Sequence, residues 1–77
     1  MNIYEEVKHE RKKQDLKWGV QDHTLEHWLI ILGEEFGEAC NSILEKQYWD
    51  CRDELIQIAA VAIAAVESHD RYMRDSV

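Results

Sequence analysis

The sequence predicts an all-α fold, a small bundle of three main helices completed by oligomerisation, on three observations. It contains no proline and only three glycines in 77 residues. Hydrophobic residues make up 45% of it and charged residues 32%, a balance that suits packed amphipathic helices rather than disorder or a turn-rich β-sandwich. Apolar residues recur at helical spacing in three stretches separated by short joints. One domain of this size builds a core that only narrowly exceeds its chain entropy, so self-association as a homodimer or homotetramer is expected.

The first helix is expected from about Asn2 to Lys17, with Ile3, Val7 and Leu16 its few apolar residues among many charges. Gly19 is its natural stop, and Asp22 or Thr24 can cap the next helix. That second helix, from Leu25 to about Lys46, places Leu25, Trp28, Leu29, Leu32, Phe36, Ala39, Cys40 and Ile43 on one apolar arc, with Glu35 at its edge. A carboxylate at that boundary needs a partner or a cation, because desolvating it alone is costly. After a joint around Gln47 to Trp49, Asp50 is expected to cap a third helix running to about Arg71. Its centre, Leu55 to Val66, is apolar nearly all round, and its small alanine faces are expected to pack against another subunit.

Sixteen acidic residues against nine basic ones give a formal charge of -7, which argues against a nucleic-acid partner. The same carboxylates suit a divalent metal, and a metal can bring a phosphorylated small molecule to an acidic surface. Met1 is followed by charged sequence, and the longest apolar run, 12 residues interrupted by Gln57, is far short of a bilayer span. A cytoplasmic protein with no membrane partner is therefore expected. Cys40 and Cys51 match no zinc spacing and read as small buried hydrophobes. His23 and His27 lack the further ligands that zinc needs.

The chemistry lies in the acids. Glu35 and Glu38 are one helical turn apart, Glu34 precedes Glu38 by four residues, and no lysine or arginine lies between Leu25 and Glu45 to neutralise them. On the third helix Asp50, Glu54 and Gln57 share a face. If the short joint folds the two helices antiparallel, the clusters meet and offer the hard oxygen ligands that magnesium prefers. The plain alternative is a solvated acidic face.

Glu34-Glu35-Phe36-Gly37-Glu38, followed after an intervening stretch by Glu54 within Arg52-Asp53-Glu54-Leu55-Ile56-Gln57, resembles the E-x-x-E and E-x-x-D pattern of the MazG-type all-α nucleoside triphosphate pyrophosphohydrolases. Upstream, Gln14-Asp15-Leu16-Lys17-Trp18-Gly19-Val20-Gln21-Asp22-His23 and Trp28-Leu29 resemble a phage and bacterial MazG-like subgroup, so the similar segments run from about Glu10 to Glu67. The resemblance implies a helical core that oligomerises, a Mg2+ site on facing helices, and cleavage of a nucleotide between its α and β phosphates. Glu35, Glu38 and Glu54 match metal-ligand positions, and Glu35 and Glu38 are the implied catalytic acids. Gln57 stands where the family usually has aspartate; its amide oxygen supplies a ligand without the charge. Asp50, one turn before Glu54 on the same face, is expected to compensate, although the resemblance does not imply it. Lys17 is expected to neutralise a phosphate oxygen, Trp18 or Trp28 to stack on the base or pack in the core, and His23 to contact substrate or cap the second helix. The rival expectation is a protein of the same fold that captures a nucleotide without turning it over, and the blandest is a helical assembly protein.

Overall fold

The computed structural model describes residues 1–75, with side chains described as far as Met73. Three helices account for nearly all of it: α1 (Ile3–Trp18), α2 (Leu25–Leu44) and α3 (Tyr48–Asp75). Each boundary has a local cause. The Asn2 side chain accepts a hydrogen bond from the Glu5 N–H at 2.8 Å and opens α1. Gly19, at φ 75° and ψ 175°, closes it in a conformation that only glycine adopts readily, donating to the Asp15 carbonyl at 2.8 Å. Of the two candidate caps for α2, Thr24 fills the role, accepting from the His27 N–H at 3.2 Å.

The α2–α3 joint is tighter than the sequence suggests. α2 ends at Leu44 rather than Lys46, because Lys46 turns left-handed at φ 58°. The Gln47 N–H then bonds back to the Ser42 carbonyl (2.8 Å) and the Lys46 N–H to that of Ile43 (3.0 Å), a Schellman closure without its usual glycine. α3 begins at once at Tyr48, so Asp50 lies in its first turn, where a carboxylate suits the helix dipole, instead of capping it.

α3, 28 residues long, is the spine. α2 packs along it antiparallel, Trp28 meeting Val61, Ala64 and Ala65 while Glu35 meets Glu54. α1 runs parallel to it, and among the described residues α1 and α2 make no close backbone approach to each other. α1 brings one buried apolar residue, Val7, and ion pairs do much of the docking. Arg52 donates twice to the Glu6 carboxylate, at 2.7 and 3.1 Å, and holds that carboxyl below its ordinary range, while Arg11 joins Glu67 (3.0 Å) and Asp15 (3.1 Å). Bidentate pairs of this kind fix geometry more than they add stability.

The core is thin: Trp28, Val61, Ala64 and Ala65, flanked by Ile31 and Leu32. Two expectations are corrected here. Three of the five α3 alanines do not await another subunit, since Ala60, Ala64 and Ala65 are covered by the chain's own helices, while Ala59 and Ala62 are half-buried. The edge of α2 that faces α3 carries Trp28, Ile31, Glu35 and Ala39, about a quarter-turn from the centre of the expected arc, which leaves Leu29, Phe36, Ile43 and Cys40 exposed. Cys40 is therefore not a buried hydrophobe, and Cys51 is only half-buried. No helix of the described residues is long and apolar enough to cross a membrane.

Candidate metal centre

The antiparallel α2–α3 pairing brings three carboxylates together. One oxygen each from Glu35, Glu38 and Glu54 lies within 4.8 Å of the other two. Ligand oxygens around a single magnesium at about 2.1 Å stand roughly 3.0–4.2 Å apart, so a small side-chain adjustment suffices to share an ion. Glu35 and Glu54 are half-buried and Glu38 is exposed, which gives the group a dry side and a wet side.

The dry side is electrostatically unsatisfied. Glu35 Oε2 and Glu54 Oε2 are buried, and neither has a hydrogen-bond partner. Two ionised carboxylates have no proton through which to bond, so their approach is favourable only if a proton or a cation sits between them. Burial, then the facing Glu35 carboxyl, then the negative charges of Glu38 and Glu35, push Glu54 up to about 7. A hard divalent cation relieves the same repulsion, and an all-oxygen donor set suits magnesium, calcium or manganese rather than a soft metal.

Beside the cluster a cleft of about 570 Å³ opens between α1 and α2, with α3 as its floor. Its lining brings several expected residues to one space: Glu35, Gln57, Trp28, Lys17 and Trp18. Gln57 thus faces the cleft as an uncharged oxygen donor one turn beyond Glu54, while Glu34 and Asp50 are exposed and stand outside the three-carboxylate group. Lys17 and Trp18 are exposed at the end of α1, the Lys17 Nζ resting 4.8 Å from the Trp18 ring centroid in a cation–π contact. Trp28 is 4% exposed and packs in the core, so it contributes a wall rather than a free stacking face, and its Nε1 has no hydrogen-bond partner.

His23 is half-buried in the α1–α2 connection, its ring edge-on to Trp28 at 4.8 Å and tilted against His27 at 4.5 Å. The brace that holds it there comes from α3 and is absent from the sequence expectations. Ser68, 2% exposed, accepts the His23 N–H at 3.3 Å. Arg71 donates to Asp22 at 2.6 and 3.1 Å and to the Gln21 carbonyl at 3.3 Å, lowering the Asp22 pKa. Extending the buried face of α3 from Val61 and Ala64 by one more turn reaches Ser68, which was the available signal. The α1 wall is of mixed charge: Arg11 pairs with Asp15 and Glu67, Lys13 lies 4.0 Å from Glu10, and Lys17 stands at its end. Compared with known proteins, the chain matches no family model, no curated protein and no solved structure.

Proposed function

We propose that this chain is a magnesium-dependent nucleotide pyrophosphohydrolase of MazG-like type, acting as a homo-oligomer on a nucleoside triphosphate or related nucleotide. The observation that carries the reading is the convergence of Glu35, Glu38 and Glu54, with two buried oxygens that lack any partner, at the edge of a cleft whose α1 wall includes Lys17. Magnesium, when bound, supplies charge neutralisation and polarises a phosphoryl group. The chain's own part is to orient and to move a proton. A water oxygen forms its bond to phosphorus as the bridging P–O bond breaks, giving monophosphate and pyrophosphate, and a carboxylate of Glu35 or Glu38 accepts the water's proton. Lys17 at the α1 wall neutralises phosphate oxygen, and Trp18, the more exposed of the two cleft tryptophans, offers a stacking face for the base.

Gln57 favours a second reading. With an amide where a fourth acid is usual, the site has less negative charge to hold two metals, and the cleft then captures a nucleotide without turning it over. Purified protein incubated with magnesium and a panel of nucleotides separates the two. Release of monophosphate and pyrophosphate supports hydrolysis, whereas tight magnesium-dependent binding without product supports capture. Absence of both outcomes refutes both readings. Glu38→Gln is expected to lose the magnesium-dependent signal while its helical circular dichroism stays unchanged.

A further inference from the structure

We propose that the face of the α2–α3 layer turned away from α1 is an interface with a second copy of this chain, closed around Gly33 and Gly37. This deepens the oligomeric part of the proposed function and does not depend on the acid cluster. Along α2, Leu25, Leu29, Phe36, Cys40 and Ile43 recur at three- and four-residue intervals in a stripe beside the edge that packs on α3; Leu29 is 66% and Phe36 63% exposed. Helical spacing puts Leu55, Ala62 and Val66 of α3 on the same side of the layer, and Leu55 and Val66 are more than half exposed. Nothing among the described residues covers this surface.

The two glycines point to what does. Glycine weakens a helix interior relative to alanine. Yet a Cβ at Gly33 or Gly37 meets nothing within 4 Å, so packing inside the subunit gives no reason for either. They lie one turn apart next to the stripe, where they let another helix approach closely. The area agrees: the chain exposes 6040 Å², whereas a folded monomer of its 9.1 kDa exposes about 4,900 Å². The surplus of roughly 1,100 Å² matches what one partner contributes to a stable homodimer.

Charge selects the occupant. Although the chain carries a formal charge of -7, the stripe side of α2 bears no charged residue from Leu29 to Leu44, because Glu34, Glu35 and Glu38 fall on its other sides; Glu26, in the first turn on the glycine side, is the one acid of α2 beside it. Two identical copies that cross at Gly33 and Gly37, with each Glu26 at the solvated end of the contact, meet here without like-charge contact in a self-complementary two-fold arrangement. A highly charged partner finds only Glu26 beside this face to pair with.

The test combines mass with thiol reactivity. By light scattering at high micromolar concentration the native protein is expected at a multiple of its chain mass. Gly33→Leu/Gly37→Leu, at positions where an added Cβ meets nothing within 4 Å, is expected at the single-chain mass with its helical signal retained. Leu16→Lys, on the exposed side of α1, is expected to keep the native mass. Should the double variant not fold, Cys40 of the native protein answers instead: exposed in the subunit, it is expected to react with a maleimide roughly tenfold more slowly in the concentrated protein than in the diluted one. A native monomer overturns this interface together with the oligomeric part of the proposed function. An oligomer that survives both leucines, or in which Cys40 reacts at the rate of a free thiol, overturns this face alone. The nucleotide assay reads the acid cluster separately from either.

Discussion

Replacing Glu54 with glutamine removes one charge from the cluster while keeping the side chain's shape, and the outcome depends on whether the three carboxylates repel one another. The Glu54 pKa is raised from 4.5 to about 7 in the folded chain. Between those values the folded state binds more protons than the unfolded state, so stability falls as pH rises across the interval. The full shift corresponds to at most about 3 kcal/mol, and solvent reaching the half-exposed cluster reduces this to about 1–2 kcal/mol. Glutamine carries no charge to lose and offers an N–H to Glu35. At about pH 8 without metal, Glu54→Gln is therefore expected to melt some 5–10 °C above the native chain, with the difference closing near pH 4.5. Magnesium at ten times its dissociation constant adds about 1.4 kcal/mol to the native chain and little to the variant. Thermal melts followed by circular dichroism, across pH and with chelator or magnesium, measure all of this. A variant that melts below the native chain at pH 8 in chelator, or native stability flat between pH 5 and 7, refutes the reasoning.

The packing sets three further outcomes. Trp28→Ala empties the centre of a thin core and is expected to cost about 3–5 kcal/mol, read as a lower denaturant midpoint. Ser68→Ala leaves the His23 N–H without its acceptor in a buried place; a loss of about 1 kcal/mol is expected, with faster amide exchange in the α1–α2 connection. Gly19→Ala forces a side chain into the φ 75° conformation that ends α1, and a cost of about 1–3 kcal/mol in chemical denaturation checks it.

Fold class and the acid pairing were legible from local information. The absence of proline, the caps around Gly19 and Thr24, and the helical period of the apolar residues set three helices to within a few residues of where they stand. A joint of only three residues makes the last two helices antiparallel, and with that constraint Glu35 and Glu38 face Glu54. Lys46 misled the α2 boundary, because a left-handed lysine leaves no glycine signature.

What the sequence by itself determined is the set of helices and the positions of their acids along each one, since helical period and capping are properties of neighbouring residues. Only the tertiary structure decided how far each helix is rotated about its axis. α3 takes the Trp28, Ile31, Glu35 and Ala39 edge of α2, and not the centre of the apolar arc. That rotation sends two carboxylate oxygens inward without partners, leaves Leu29, Phe36 and Cys40 bare, and turns Ala60, Ala64 and Ala65 into internal packing. The physical reason is that an apolar arc wider than one contact fits several rotations equally well by local criteria. Contacts between residues far apart in the chain, such as Trp28 with Ala64 and Arg71 with Asp22, choose among them.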